Sequence, residues 1–304
     1  MRPCAAGYLS HVDDPISEDP EPGWAGVQPS RQEHRRWDDA VLQHALDTTG
    51  LDGWGPVAVL ASTGSTNADA AEQAREGCPE GFTVVADEQS DGRGRLDRAW
   101  ESPAGAGLAM SVVLRPRTGI ETWGWVPLLS GLATVDALAR HGLAAALKWP
   151  NDVVLDGAAH DGSPGPRKLG GLLVERVAET DAVVVGIGVN TDLRAHERPV
   201  ARATSAYLEG VGVRREQLLV DILDELRSQV TRWQAGSGAA RRTGLLDAYA
   251  HRCLTLGRAV QVHLPGGHVV GGVARGIDDT GRLVLTLADG SPHAVSAGDV
   301  EHVR

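Results

Sequence analysis

Aromatic residues are scarce in this sequence, and basic residues are outnumbered by acidic ones. Phe, Tyr and Trp make up 4% of the 304 residues, and the net charge at pH 7 is -11. A nucleic-acid-binding surface needs a basic stripe, and single-stranded nucleic acid needs aromatic platforms on which its bases stack. The composition therefore argues against a DNA- or RNA-binding protein, and clustered arginines in an acidic chain indicate a small anionic ligand instead.

Cysteines and long apolar runs are also few. The three cysteines, Cys4, Cys78 and Cys253, are odd in number and far apart, which indicates neither a disulfide framework nor a metal site. No apolar run reaches the roughly 18 residues of a membrane span, and the N-terminus lacks the pattern of a secretory signal. We therefore expect a cytoplasmic protein without a membrane span and without metal-ligating residues.

The pattern of apolar residues predicts an α+β chain. Helices are predicted where apolar residues recur at helical spacing, and strands where short apolar runs are bounded by turn residues. The predicted helices cover residues 31–50, 68–76, 123–141, 214–234 and 243–254. The predicted strands cover residues 57–60, 82–86, 108–114, 168–175, 183–190, 259–264, 269–277 and 282–287.

Composition divides this chain into three parts. Residues 1–30 are rich in proline and acidic side chains and have little to bury, so they are predicted to form a disordered leader. Residues 31–255 hold the helices and the longer strands and form the predicted catalytic domain. Residues 256–304 contain short alternating runs separated by glycine-containing turns, which is typical of antiparallel hairpins and predicts a small β-barrel.

The most distinctive stretch is the arginine loop, residues 92–100, which lies between two apolar strands. It contains Gly92, Arg93, Gly94, Arg95 and Arg98 within seven residues. Glycines let backbone amides approach a ligand, and guanidinium groups match the geometry of phosphate and carboxylate oxygens. The loop is interpreted as an anion-binding loop, and an ordinary solvated turn is the alternative.

Three further segments each have a structural and a functional interpretation. Ser65, Thr66 and Asn67 follow the first strand, where they either cap a helix or offer polar contacts to a neutral ligand. Residues 148–152 bring a cation, an amide and a carboxylate to a proline-containing turn, which is also a common turn sequence. Glycines at 170, 171, 186 and 188 leave a flat strand face for a ring or chain, or mark a bulge or tight packing.

Taken together and in this order, residues 64–67, 89–100, 148–152, 168–175 and 186–190 resemble the motifs of biotin protein ligases. The resemblance implies a mixed central β-sheet flanked by helices, like that of class II synthetases, and a C-terminal SH3-like β-barrel. It also implies that biotin and MgATP give biotinyl-5'-AMP and pyrophosphate, after which the biotinyl group passes to a lysine of a biotin carboxyl carrier domain.

The resemblance assigns site residues by position. Arg95, Lys168 and Asp152 are expected to be catalytic, and Asp152 to orient or deprotonate the acceptor lysine. Expected biotin-binding residues are Ser65, Thr66, Asn67, Gln89, Gly92, Arg93, Gly94, Arg95, Lys168, Gly170, Gly171, Gly186 and Gly188. Expected ATP-binding residues are Arg93, Arg95, Arg98, Trp100, Asn151, Lys168 and Asn190.

The arginine loop departs from the family pattern at one position. Asp97 stands where the family has glycine, so a left-handed backbone is expected at Asp97, in a loop that is expected to close over the intermediate. No DNA-binding domain is expected before the catalytic part, and the protein is expected to be a monomer or weak homodimer. A lipoate or octanoyl ligase on the same scaffold and a non-enzymatic RNA-binding module are the alternative functions.

Overall fold

A mixed seven-stranded sheet forms the centre of the computed structural model, which describes residues 34–49, 51 and 54–303. Its strands run in the order β1-β2-β3-β7-β6-β5-β4; β1 and β2 are parallel, and the other neighbouring pairs are antiparallel. They are β1 (Val57–Thr63), β2 (Thr83–Gln89), β3 (Gly107–Leu114), β4 (Ala146–Lys148), β5 (Asp152–Leu155), β6 (Arg167–Arg176) and β7 (Val183–Asn190). The predicted leader lies outside the described residues.

Helices cover both faces of this sheet because its central strands are apolar on both sides. The helices are α1 (Asp39–Thr49), α2 (Thr66–Arg75), α3 (Val126–Arg140), α4 (Arg215–Ala235) and α5 (Leu245–Arg252). Ala70 and Ala74 of α2 pack with Val84, Val113 and Val184 on one face. The neighbouring residues of these strands point the other way and join α1, α3, α4 and α5 in the main core. Within the described residues, no helix has the length and apolarity needed to cross a membrane.

The C-terminal part forms a separate antiparallel sheet with the order β11-β10-β9-β8-β12. Its strands are β8 (Ala259–His263), β9 (Val269–Ile277), β10 (Leu283–Thr286), β11 (Pro292–Val295) and β12 (Asp299–His302). The first three were predicted, whereas β11 and β12 were missed because their short polar sequences lack an apolar alternation. The described strand pairs do not close the sheet into a barrel, so the SH3-like barrel and the boundary at residue 256 remain predictions.

Hydrogen bonds connect the catalytic part to the turn between β9 and β10 and to the segment that leads into β8. Trp125 Nε1 donates to the carbonyl of Asp279 at 3.1 Å, and Trp149 N donates to Thr255 Oγ1 at 3.0 Å. The Leu254 amide also donates to the carbonyl of Leu147 at 2.8 Å. β12 and the turn that follows β4 line the same cavity.

Two helical predictions needed correction. The first helix was predicted from residue 31, but it begins at Asp39, and the described residues 34–38 before it have no regular secondary structure. The carbonyl oxygen of Arg35 in this segment accepts a hydrogen bond from the Arg215 guanidinium, so it is satisfied without a helical partner. The predicted helix 123–141 is a 3₁₀ segment, Ile120–Trp125, followed by α3.

A buried ion pair joins α4 to the end of β2. Arg215 Nη2 lies 2.9 Å from Asp87 Oδ1, and the side chains are only 6% and 5% exposed. The Arg215 guanidinium also lies 4.7 Å from the ring of Trp37 and donates to the carbonyl of Gly107. The pair therefore anchors the strand that continues into Gln89 and the arginine loop.

Replacing Asp87 by Asn should lower the free energy of unfolding by about 3 to 5 kcal/mol, because Arg215 is left as a buried, uncompensated charge. Asp279→Asn is the matched control: its Asp279–Arg241 pair is 69% exposed on both sides, so the loss should stay below about 1 kcal/mol. Urea unfolding of both variants measures the difference, and equal losses would contradict the importance of the buried pair.

Candidate active site

A cavity of about 310 Å³ opens between the central sheet, the arginine loop and β12. Arg95 and Lys168 both line it, so the two cations that the sequence pattern singled out lie in the same place. Most of the other predicted site residues line it as well. They are Ser65, Thr66, Asn67, Gln89, Arg93, Gly94, Arg98, Trp100, Asn151, Asp152, Gly171, Gly186 and Gly188.

Three predicted residues are not part of this lining. Gly92 and Gly170 lie against other backbone: a Cβ at Gly92 would collide with the carbonyl of Trp100, and one at Gly170 would lie 2.5 Å from the Gly188 carbonyl. The amide of Asn190 is buried and donates to the carbonyl of Thr204 at 2.9 Å. The structure thus gives the two glycines a packing role, and ligand contact by these residues remains a prediction.

The polar end of the cavity is a connected hydrogen-bond network. Gln89 Oε1 accepts from the Thr66 backbone N–H at 2.9 Å and lies 3.0 Å from Thr66 Oγ1. Ser111 Oγ lies 2.8 Å from Thr66 Oγ1 and 2.6 Å from Asn67 Oδ1. Asn67 Nδ2 donates to Glu175 Oε2 at 2.6 Å. Both ends of the Asn67 amide are therefore engaged within the protein.

Ser65 occupies the N-cap position of α2, but its side chain does not cap the helix. The residue has an extended backbone, and its hydroxyl makes no capping hydrogen bond. It is buried and lines the cavity. The simple capping interpretation of this segment is therefore wrong for the Ser65 side chain, and a hydroxyl is available to a ligand.

The glycines of β6 and β7 form a flat face that an indole ring covers. A Cβ at Gly188 would lie 2.6 Å from the ring of Trp100, and one at Gly171 would lie 3.5 Å from it. A Cβ at Gly186 would collide with the amide oxygen of Asn67. Close approach of side chains from other elements, rather than a bulge, explains these glycines.

Carboxylates form ion pairs with two cations of the cavity. Lys168 Nζ lies 2.6 Å from Asp152 Oδ1 and 5.9 Å from the centre of the Trp100 ring. Arg93 Nη2 lies 3.5 Å from Glu175 Oε2. Each cation is thus positioned by a partner that an anionic ligand is able to replace.

The other two arginines contact the C-terminal sheet. Arg95 Nη1 donates to Asn151 Oδ1 and to the carbonyl of Gly298, both at 3.3 Å. Arg98 forms an ion pair with Asp299, the first residue of β12. The arginine loop is therefore attached to the C-terminal sheet through two of its three guanidinium groups.

Burial changes the protonation equilibria of three groups near the cavity. It lowers the pKa of Lys148, an effect that the Asp152 carboxylate partly offsets, and it lowers the pKa of Arg95. Burial and the positive charge of Lys148 lower the pKa of His302 to about 4. His302 is therefore neutral at pH 7. The cavity favours anions because its cationic lining residues outnumber its acidic ones.

The backbone of the arginine loop differs from the expectation at Asp97. The left-handed residue is Leu96, with φ 56° and ψ 44°, and Asp97 ends a short 3₁₀ turn. Sequence position alone suggested Asp97 because the family pattern has glycine there. The left-handed conformation therefore lies one residue earlier than expected, at Leu96 within the turn Arg95–Asp97.

Sequence reasoning missed four side chains of this site. Lys148 and Glu175 belong to motifs that were recognised but were given no role. Ser111 is the hydroxyl residue inside an otherwise apolar strand, which was a usable signal. Asp299 gave no signal, because only the packing of the C-terminal sheet brings it to the cavity.

Two families match the chain in the order that the fold shows. Residues 59–192 match the Biotin/lipoate A/B protein ligase family, and residues 255–303 match the Biotin protein ligase C terminal domain. The class defined by fold and site is therefore that of the biotin and lipoate protein ligases.

Individual relatives narrow this class. The biotin–acetyl-CoA-carboxylase ligase of Mycobacterium tuberculosis is 38% identical over 88% of this chain and 96% of its own. The biotin protein ligase of Aquifex aeolicus in complex with biotin and ATP has 26% identity and a TM-score of 0.65, over 82% of this chain and 98% of its own. The Leishmania major enzyme with biotinyl-5-AMP has 26% identity and a TM-score of 0.51, over 79% and 98%. The chain belongs to the biotin protein ligase family, which confirms the predicted family and mixed-sheet fold.

Replacing Asp299 by Asn should make the arginine loop easier to cleave by trypsin without ligand, because the loop loses its ion pair with the C-terminal sheet. We expect the cleavage rate within residues 93–98 to rise about 3- to 10-fold, equivalent to about 0.7 to 1.4 kcal/mol of local opening free energy. Glu301→Gln removes the same charge from the same strand. Equal rates in both variants would indicate a general charge effect instead of the ion pair.

Proposed function

We propose that this cavity joins biotin to ATP as biotinyl-5'-AMP and then transfers the biotinyl group to a lysine of a biotin carboxyl carrier domain. The ligase activity and the substrates biotin and ATP are confirmed by the family membership and by the solved relatives. The observation that carries the assignment of roles is that Arg95 and Lys168 line the same cavity as the polar end formed by Thr66 and Gln89.

Adenylation requires two anions to approach each other. The biotin carboxylate attacks the α-phosphorus of ATP, a P–O bond forms, and the bond to pyrophosphate breaks. Lys168 and Arg95 are assigned to the attacking carboxylate and the α-phosphate, because positioned cations stabilise the charge that builds up there. Arg93 and Arg98 are assigned to the remaining phosphates, and Arg98 must leave Asp299 to reach them.

The remaining residues of the cavity are assigned to binding. Ser65, Thr66 and Gln89 face the ureido ring of biotin, and the glycine face of β6 and β7 lies along its apolar tail. The Trp100 ring lies against that face, and it is assigned to the adenine ring of ATP. Asn151 and Asn190 are assigned to the nucleotide.

Magnesium enters as part of the substrate MgATP. Mg²⁺ usually binds one or two carboxylates together with substrate phosphates. Asp152 and Asp299 are the aspartates that line the cavity, and no group of three or more His, Cys, Asp or Glu side chains suited to a metal occurs in the described part of the chain. A carboxylate freed from its cation by the nucleotide would be able to face the ion.

Asp152 is assigned to the second step. The amine of the carrier lysine attacks the acyl carbon of biotinyl-5'-AMP, an amide bond forms, and AMP leaves. A free lysine titrates near 10.4, so a proton acceptor is required at neutral pH, and Asp152 provides a carboxylate at the cavity. The acceptor is proposed to be the carrier domain of a carboxylase, as the name of the Mycobacterium tuberculosis relative indicates.

Biotin-dependent exchange of labelled pyrophosphate into ATP tests the first step, and transfer of labelled biotin to a purified carrier domain tests the second. Exchange that requires lipoate, or no exchange with either acid, would overturn the assignment.

Cytoplasmic location and a monomer or weak homodimer remain predictions, which fractionation and analytical ultracentrifugation would test.

Lys168→Ala should reduce biotin-dependent pyrophosphate exchange by about two to three orders of magnitude, since one positioned charge contributes about 3 to 4 kcal/mol in such a step. The fold should persist because Lys168 is partly exposed, with 39% of its side chain accessible. Circular dichroism and thermal unfolding serve as the control for folding. Near-normal exchange in a folded variant would remove Lys168 from the reaction.

Asp152→Ala should impair transfer to the carrier lysine more than adenylation. Both steps lose the positioning of Lys168 by Asp152, but only transfer loses the proton acceptor as well. Asp152→Asn keeps the size of the side chain and removes its basicity, so it should show the same asymmetry. Single-turnover transfer from preformed biotinyl-5'-AMP, compared with pyrophosphate exchange, measures it. Equal losses in the two steps would contradict the assignment.

A further inference from the structure

We propose that Ser111 is a positioning residue that makes Thr66 Oγ1 a hydrogen-bond acceptor for a ring N–H of the ligand, so that the cavity selects a cyclic urea. The inference rests on the proposed function, because biotin is taken as the ligand. The reasoning follows the protons along the buried network at the polar end of the cavity.

Glu175 is the nearer of two acceptors that determine the orientation of Asn67, and the Leu173 carbonyl, 3.4 Å from the amide nitrogen, is the other. A carboxylate is only an acceptor, so the Asn67 atom 2.6 Å from Glu175 Oε2 must be the amide nitrogen. The carbonyl oxygen of the same amide therefore faces Ser111, at 2.6 Å. Because an amide oxygen cannot donate, the single hydroxyl proton of Ser111 points to Asn67.

The hydroxyl proton of Thr66 is also used inside the protein. Ser111 Oγ has given its proton to Asn67, so at the 2.8 Å contact it can only accept from Thr66. Gln89 Oε1, at 3.0 Å, is the other acceptor of this proton. With either partner, Thr66 Oγ1 has only lone pairs left for the cavity and presents an acceptor to a ligand.

Gln89 supplies the opposite polarity next to this acceptor. Its Oε1 must face the Thr66 backbone N–H, which only donates, so its Nε2 points elsewhere. No side chain or backbone group among the described residues accepts a hydrogen bond from Nε2. The acceptor Thr66 Oγ1 and the donor Gln89 Nε2 together match the adjacent N–H and C=O groups of a cyclic urea. The dithiolane ring of lipoate, the alternative substrate, offers neither group.

Burial gives this polarity its effect on specificity. Thr66 and Ser111 are 3% and 0% exposed, so water cannot easily satisfy a mismatched group. A site built to bind an N–H rejects analogues without it far more strongly than an apolar pocket rejects a missing methylene. The hydroxyl of Ser111 lies behind Thr66 and acts through it.

The test compares biotin with its two cyclic carbamate analogues, in each of which one ureido N–H is replaced by oxygen. Isothermal titration of the full chain gives the three dissociation constants. The dissociation constant of each carbamate is divided by that of biotin, and the larger of the two quotients is the selectivity ratio. We expect this ratio to be at least about 10 in the natural protein, because an unpaired buried acceptor costs a factor of this size.

In Ser111→Ala the ratio should fall to about 3 or less, because the Thr66 hydroxyl then keeps only the 3.0 Å contact with Gln89 Oε1, which already accepts the Thr66 backbone N–H, and it is able to turn its proton towards the ligand. Biotin should bind about 10-fold more weakly. Pyrophosphate exchange at saturating biotin and the KM for ATP should change less than about 3-fold, since the reacting atoms are not touched. Ser111→Thr keeps the hydroxyl and should retain the ratio.

Ser130→Ala is the matched control. Ser130 is equally buried, and its hydroxyl donates to the carbonyl of Val126 within α3, away from the cavity. This variant should keep the natural ratio, which separates the proposed role from the general loss of a buried hydroxyl.

Glu175→Ala keeps the inference testable even if Ser111→Ala does not fold, because Glu175 is half-exposed. Without the carboxylate, only the longer 3.4 Å contact with the Leu173 carbonyl holds the Asn67 nitrogen. The amide then flips more easily, the Ser111 proton is released, and the ratio should fall as well, by less than in Ser111→Ala. A natural ratio near 1, or an unchanged ratio in a folded Ser111→Ala or in Glu175→Ala, overturns the inference. Failure of the natural protein to bind biotin or to catalyse exchange would instead overturn the proposed function.

Discussion

Attraction between a concentrated group of cations and three carboxylates is the interaction on which this site depends. Five cationic side chains line one cavity of an acidic protein, and they are Arg93, Arg95, Arg98, Lys148 and Lys168. Without an anion their mutual repulsion would separate them, and Asp152, Glu175 and Asp299 hold three of them in place. In the proposed reaction, the carboxylate of biotin and the phosphates of ATP take the place of these protein carboxylates as partners of the cations.

The two sheets make this arrangement possible by different means. The central sheet is rigid because helices cover both of its faces, and its glycine positions allow an indole and an amide to approach the backbone closely. The C-terminal sheet places Asp299 and the carbonyl of Gly298 beside the arginine loop. The cationic arginine loop thus lies between the central sheet and the C-terminal sheet. Removal of either neighbour would leave the guanidinium groups without a fixed position.

Glu175 connects the polar and the cationic ends of the cavity. It accepts from Asn67, which belongs to the network around Thr66, and it pairs with Arg93 of the arginine loop. In the proposed function, recognition of the uncharged ring and binding of the charged groups therefore share this carboxylate. Asn67 uses both ends of its amide within the protein and also lines the cavity, and its contact with biotin remains a prediction.

Local patterns in the sequence determined the α+β class, most helices and strands of the catalytic part, and the arginine loop with Lys168, because periodicity and spacing are properties of neighbouring residues. Resemblance of five motifs added the family and most of the cavity lining. Only the tertiary structure decided that Asp299 reaches the cavity, that Trp100 covers the glycine face, and that Leu96 is the left-handed residue. Each of these depends on contacts between residues far apart in the chain, or on a turn whose geometry neighbouring elements impose, and neither leaves a periodic trace in the sequence.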